Sequence, residues 1–301
     1  METEKKVFII IINYGTPEHT IECLQSICEN NFGRFQAVVV DISNIHQSVE
    51  KIDHWIEKRD DNRFLLIQEK KNNGFAFANN IGLKYSMQQD DCDFIWILNN
   101  DTVIAKNSLE ELINCYKQNT KREVVGFIGS KILDYKDKAI IQNVGGRFNK
   151  WTGYSVLTGM GEKDTGQFDI KENKVDYVVG ASMFFHSSII NQIGLMPEDY
   201  FLYYEDIDWC LTAQKAGFKN ISCTKSRVYH KQGISTGAKL LADDDHLQNK
   251  KHLYLSYLKL YRRHFKWLLP VAYLILFKQI AGKIRHKNYK EAHLIFKTII
   301  G

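Results

Sequence analysis

Along the first hundred residues, unbroken apolar runs alternate with helically spaced ones. Val7–Ile12 is a continuous, β-branched apolar run, the pattern of a strand buried on both faces of a parallel sheet. It stops at Asn13-Tyr14-Gly15-Thr16-Pro17, where Pro17 suits the first turn of a helix reaching about Cys28. A second strand, Ala37–Val40, ends at Asp41; Val49–Lys58 reads as helix and Phe64–Ile67 as a third strand. Asn72-Asn73-Gly74 turns into a helix over Phe75–Met87, and Phe94–Leu98 is a fourth strand ending at Asn99-Asn100-Asp101. This βαβαβαβ alternation predicts a doubly wound, Rossmann-like α/β sheet flanked by helices.

The second half changes rhythm. Phe127–Ile132, Val175–Phe185, Lys219–Cys223 and Arg227–His230 are strand-like, with helices expected over Ser187–Ile193 and Ile207–Ala216. This irregular order suggests a mixed continuation of the same sheet, with Gly153–Asp169, rich in Gly and Thr, as a loop. From Asp243 onward the pattern is helical and basic. The expected division is therefore a body over 1–240, in halves 1–101 and 102–240, and an amphipathic helical tail over 241–301.

Composition adds exclusions. With 301 residues, 44% apolar and 25% charged, the chain is not disordered, collagen-like or a small disulfide scaffold. The net charge of +5 conceals a division: Lys250–Gly301 holds twelve Lys and Arg against one acid, Glu291, leaving 28 basic and 34 acidic residues in the preceding 249. The six cysteines show neither a C-x-x-C pair nor zinc spacing, and with no secretory signal at the start they read as reduced thiols of a cytoplasmic protein. The longest apolar run near the end, Trp267–Phe277, is eleven residues, short of the ~20 that span a bilayer, so no unaided crossing is expected.

In doubly wound sheets, ligands sit beyond the carboxyl ends of the strands. Asn13, Asp41, Asn73 and Asp101 all fall there or at the following turn, which gathers polar groups on one rim. Each alone is an ordinary turn or cap residue; the coincidence of four carries the inference. No Walker A or G-x-G-x-x-G sequence follows the first strand. Asp101, beside Asn99 and Asn100, instead suits a hard divalent cation, Mg²⁺ or Mn²⁺, shared with substrate phosphates. In Phe201-Leu202-Tyr203-Tyr204-Glu205-Asp206-Ile207-Asp208-Trp209-Cys210, three acids open a helix. They either favour the positive end of its dipole or supply a general base, and crowding that raises a carboxyl pKa suits the second role. His230 is either structural or a ligand, with Gly233 and Ser235 hinting at a turn around something.

Taken in order, Ile11-Ile12-Asn13-Tyr14, Asn73-Gly74-Phe75-Ala76, Leu98-Asn99-Asn100-Asp101-Thr102, Gly180-Ala181-Ser182-Met183, Tyr204–Cys210 and His230 resemble a family 2 glycosyltransferase of the GT-A fold, in the rhamnosyltransferase-like branch. The resemblance runs from about Val7 to Gly237 and implies an inverting, metal-dependent enzyme. By its implication 1–101 is the nucleotide-sugar-binding half and 102–240 the acceptor half. Asp101 would ligate Mg²⁺ or Mn²⁺ on the donor diphosphate, with His230 supporting it. Asn13, Tyr14, Asp41, Asn73, Gly74 and Asn100 would hold the donor, and Gly180, Ala181 and Ser182 would shape its sugar end. Asp206 would be the base, with Glu205 or Asp208 orienting it or the acceptor. The family's usual Asp-Asn-x-Ser is here Asp41-Ile42-Ser43-Asn44, and Gly15 stands where Asn is common, so the base pocket is expected to be reshaped.

The implied donor is dTDP- or UDP-linked, carrying rhamnose or another deoxysugar, and the implied acceptor is a glycan or lipid-linked oligosaccharide in surface polysaccharide synthesis. A non-catalytic sugar- or nucleotide-binding relative and a sugar nucleotidyltransferase are the alternatives. In the tail, Leu253, Tyr254, Tyr257, Leu258, Tyr261 and Phe265 alternate with Lys250, Lys251, Lys259, Arg262 and Arg263. Such a helix packs on the body or lies on anionic lipid. The expected location is peripheral, at the inner face of the plasma membrane through 250–301, with no nucleic-acid partner because no such module is recognisable.

Overall fold

The apolar runs become the middle of a ten-stranded mixed sheet in the computed structural model, which describes residues 5–121, 123–169, 173–231 and 243–300. The first half runs β1 (Val7–Asn13), α1 (Pro17–Cys28), β2 (Phe35–Asp41), α2 (His46–Arg59), β3 (Phe64–Gln68), α3 (Phe75–Met87) and β4 (Phe94–Asn99). There follow β5 (Thr102–Ile104), α4 (Ser108–Asn119), β6 (Val125–Asp134), β7 (Ile141–Asn143), β8 (Gly146–Phe148), β9 (Ser155–Leu157) and β10 (Asn173–Lys174). The body closes with β11 (Ser182–His186), α5 (Ile190–Ile193), α6 (Glu205–Lys215) and β12 (Lys219–His230), and the tail is α7 (Asp243–His264), α8 (Leu269–Arg285) and α9 (Tyr289–Ile300).

The strand order is β10-β12-β6-β11-β4-β1-β2-β3, with β5 on β12 and β7 on β6. β1 pairs in parallel with β2 and β4, as expected for crossover helices, while β11 runs antiparallel to β4 and β6 and makes the sheet mixed. Alternation along β1 divides the core: Phe8 and Ile10 pack with α3 and α6 residues on one face, Ile9 and Ile11 with α1 and α4 residues on the other. Both faces are covered, which is why the run lacks polar alternation.

Two expected elements differ. Only Ser182–His186 of the Val175–Phe185 run is strand. The backbone before it is engaged elsewhere: Tyr177 bridges to Gly146, the Val178 N–H donates to Cys210 Sγ at 3.3 Å, and the Gly180 N–H donates to Asp206 at 3.1 Å. The two short strands expected over Lys219–His230 are one, β12, irregular between Cys223 and Arg227. Beyond that irregularity β12 pairs with β5, setting His230 opposite Thr102.

The tail has its own core, in which Tyr254, Leu258 and Tyr261 of α7 meet Leu276 of α8 and Ile295 of α9. The one acid of Lys250–Gly301, Glu291, is buried and accepts from Lys250 at 2.7 Å and Tyr254 at 2.8 Å, with Lys283 2.9 Å away. Burial opposes its ionisation, yet these partners pull the carboxyl down to about 2. α7 also docks on the body: Ser256 donates to the Leu202 carbonyl at 2.9 Å, Tyr261 to the Lys150 carbonyl at 2.7 Å, and His252 stacks on Phe201. Among the described residues one segment, Lys266–Arg285, is long and apolar enough to cross a membrane by length and composition. The helical segment is longer than the eleven-residue apolar run, which stopped at Lys278 although apolar residues resume beyond it. Here the segment lies as a surface helix, burying Leu268, Ala272 and Leu276 and exposing the opposite face.

Candidate active site

The site gathers where β1, β2 and β4 end and β12 returns. Asp101 follows β4 and is 1% exposed. Because His230 lies opposite Thr102, its Nε2 comes within 3.1 Å of Asp101 Oδ1. The other ring nitrogen, Nδ1, lies 2.9 Å from Gln142 Oε1. Gln142 spends its amide nitrogen on the His230 carbonyl at 2.8 Å, so its oxygen can only accept. His230 Nδ1 therefore carries the proton, and in the neutral ring Nε2 turns a lone pair toward the carboxylate. In that tautomer the carboxylate oxygen and the imidazole nitrogen are close enough to share one cation. A carboxylate with an imidazole fits Mg²⁺ or Mn²⁺, which complete their shells from phosphate and water. Among the described residues no group of three or more His, Cys, Asp and Glu forms a fuller cage.

Beside this pair is a cation not anticipated from the sequence. Lys231 donates from its backbone to the Asp101 carbonyl at 3.0 Å, while its ammonium pairs with Glu22, contacts His19 at 2.7 Å and lies 5.0 Å from the Tyr135 ring centre. Its position directly after His230 was the available signal. Gln232–Ala242, including Gly233 and Ser235, lies outside the described residues.

Behind the rim is a buried polar network. Asn13 donates to Asp41 and to Ser48 Oγ (2.8 Å) and accepts from Thr20 at 2.8 Å; Asn100 donates to Thr16 and Thr20 at 2.8 and 2.9 Å. The second Asp41 oxygen accepts from the Ser43 N–H and hydroxyl at 2.9 and 2.8 Å. Asn13, Asp41 and Asn100 are thus buried beneath the rim, whereas Tyr14 and Asn73 are exposed on it. Gly74 has φ 99° and no room for a side chain, since a Cβ would fall 2.1 Å from the Phe201 carbonyl oxygen. That approach lets the Phe75 N–H donate to the same oxygen at 3.0 Å and fastens the loop before α6 to the start of α3.

At the head of α6 the three acids separate. Asp206 accepts from the Gly180 N–H at 3.1 Å and the Ile207 N–H at 2.8 Å. A Cβ on Gly180 would press within 3.1 Å of the Phe75 ring, so glycine keeps the space between them. Burial pushes the Asp206 carboxyl up, and burial with Asp206 alongside pushes Glu205, 6% exposed, to about 8. Asp208 turns the other way: Tyr200 donates to it at 2.7 Å, Arg263 at 3.2 Å, and His264 Nε2 lies 3.1 Å away. Burial works to raise this carboxyl, but hydrogen bonds from His264 and Tyr200 and the nearby cations hold it low. Tyr203 and Tyr204, just before the acids, both have φ 69°, a left-handed conformation unusual for bulky residues.

Gly180 thus lies beside Asp206, and the Ala181 carbonyl accepts from the Asn99 N–H at 3.1 Å, joining the acid end to the strand-end rim. Ser182 faces inward, donating to Ser130 at 2.9 Å and accepting from Trp96 at 3.0 Å. Gln142, Lys231, Tyr200 and His264 escaped sequence reasoning, which singled out Arg263 only as a cation of the tail; each meets its partner only through the fold.

The chain resembles known proteins by sequence and by shape. The glycosyl transferase family 2 model matches residues 8–193. The low-salt glycan biosynthesis hexosyltransferase Agl10 of Haloferax volcanii is 25% identical over 226 residues, 75% of this chain and 67% of that protein. Among solved structures, GalNAc-T7 with UDP, GalNAc and Mn²⁺ superposes with a TM-score of 0.60 at 14% identity, covering 83% of this chain. This chain spans about half (48%) of that one. The mannosyltransferase PcManGT of Pyrobaculum calidifontis, with GDP-Man and Mn²⁺, gives 0.56 at 16% identity over 99% of this chain and 87% of its own. Matching sequence and a shared GT-A sheet lead to one conclusion: the chain belongs to glycosyltransferase family 2.

Proposed function

We propose that this glycosyltransferase moves a hexose or deoxyhexose, with rhamnose the favoured case, from a dTDP- or UDP-linked donor to a glycan or lipid-linked oligosaccharide with inversion. The observation that carries the reading is the Asp101–His230 pair at 3.1 Å, assembled by strand register at the strand-end rim. Asp101 and His230 would hold Mg²⁺ or Mn²⁺, and the Mn²⁺ in the GalNAc-T7 and PcManGT structures supports a divalent ion of this kind. When bound, such an ion neutralises the departing diphosphate. Tyr14 and Asn73 would meet the nucleoside, with Asn13, Asp41 and Asn100 bracing the pocket from beneath and Gly74, Gly180 and Ala181 keeping it open. Asp206, its carboxyl raised by burial, takes the proton from the attacking acceptor hydroxyl. Glu205 orients it from the adjacent position. The body would extend to about residue 240, with the tail at the cytoplasmic face of the membrane.

Incubation with UDP-, dTDP- and GDP-sugars plus Mn²⁺ tests this. Release of nucleoside diphosphate is expected, and release of pyrophosphate would identify a nucleotidyltransferase instead. Asp206→Asn is expected to cut transfer about 10²–10⁴-fold while calorimetric nucleotide binding persists. Near-normal turnover in that variant would remove Asp206 from its role.

A further inference from the structure

The hairpin of β8 and β9 reaches across to the tail and makes an exposed aromatic pair with it. Trp151, at the hairpin tip, and Trp267, at the start of the α8 segment, stack edge to face at 5.2 Å, yet are 56% and 62% exposed. Lys150 Nζ lies over both rings, 5.9 and 5.6 Å from their centres. Farther along α8, Leu274 and Phe277 point outward at 67% and 49% exposure, with Lys266 and Lys278 exposed among them. Surface tryptophans, aliphatics and lysines in one stretch match the composition of a membrane–water interface.

We infer that the Trp151–Trp267 face seats on an anionic lipid bilayer. Charge favours this occupant: Lys250–Gly301 carries twelve cations, and its one acid, Glu291, is buried among Lys250, Lys283 and Tyr254, so it offsets little of the charge at the surface. A soluble glycan could stack on the tryptophans but would gain nothing from Leu274, Phe277 or the lysines. The hairpin adds what the tail alone lacks, since one inserted helix face is extended by a second, rigidly held element. Its hold is specific: Tyr261 donates to the Lys150 carbonyl, and a Cβ on Gly153 would fall 2.5 Å from the Tyr257 hydroxyl. Tyr257 in turn packs on Tyr204, which precedes the acid pair. Resting on the glycosyl-transfer reading for this step alone, the acceptor class follows: a lipid-linked glycan presented from the same bilayer.

Sedimentation of the full chain with phosphatidylglycerol and phosphatidylcholine vesicles tests the face, with salt dependence and tryptophan emission recorded. Strong binding to the anionic vesicles only, with a blue-shifted emission, is expected. The Trp151→Ala/Trp267→Ala double variant should bind at least about tenfold more weakly, as should Lys266→Glu/Lys278→Glu, with unchanged melting temperatures. Absence of binding by the full chain, or equal binding by the tryptophan variant, would overturn the inference. So would concentration-dependent self-association in the native chain that the tryptophan variant abolishes, which would make the face a contact between copies. UDP–Mn²⁺ calorimetry on the same preparations separates the two readings, because loss of nucleotide binding counts against glycosyl transfer and leaves vesicle binding untouched.

Discussion

Glu205, Asp206 and Asp208 stand within four positions and meet different surroundings. The sequence offered two readings of the group, dipole partners or base, and only the side-chain directions separate them. Asp208 faces Tyr200, Arg263 and His264, whereas Asp206 faces Gly180. Glu205 carries a pH consequence. Its folded carboxyl is raised from 4.5 to about 8, so the protonated form is favoured in the folded state, and stability is lost as pH rises between those values. Glu205→Gln, which keeps the neutral shape, is expected to melt higher than the parent at pH 8 and near it at pH 5, by scanning calorimetry at both. At the strand-end rim, Asp101 and His230 could be singled out separately, but Gln142, 88 residues from His230 in sequence, could not. Gln142→Leu removes the acceptor that fixes the imidazole tautomer and is expected to weaken Mn²⁺ binding about 10–100-fold, read by electron paramagnetic resonance with UDP present.

At the scale of elements, the four parallel strands and their helices could be read from unbroken apolar runs, because burial on both faces leaves that mark. The short strands β5, β7, β8 and β9 could not, since three residues show no period and their pairing is decided by partners far along the chain. β5 matters most, for its register with β12 brings His230 to Asp101. Helix α7 was legible as amphipathic, but not its target. It grips the loop before α6 through Leu202 and Phe201, and α6 itself through Asp208. Asp208→Ala is expected to destabilise by about 2 kcal/mol in urea unfolding, because the buried Tyr200 hydroxyl and the Arg263 guanidinium lose their acceptor, while UDP–Mn²⁺ affinity stays within about twofold. A large loss of affinity at full stability would instead give Asp208 a place in the donor site.

Across the whole molecule the charge division persists in altered form. The acidic body sets Asp41 and Asp101 at the strand-end rim and Glu205, Asp206 and Asp208 at the head of α6, and the tail folds into three helices, the first docked on the loop before α6. Deleting Lys250–Gly301 would therefore uncover Phe201 and Tyr200 as well as remove cations, which is why point variants on the exposed face separate membrane contact from damage to the site. Tyr203 and Tyr204, both at φ 69°, carry this coupling further. Left-handed backbone costs roughly 1–2 kcal/mol at each such residue, and the tyrosine rings of α7 that pack on Tyr204 help to offset it. The turn before α6 is thus not a self-sufficient module. A chimera given only the sheet and its strand-end rim would inherit the Asp101–His230 pair but would let the turn relax, carrying Asp206 away from Gly180. Exchange of parts among such enzymes should therefore move the tail and the Asp206 turn together, as one heritable unit.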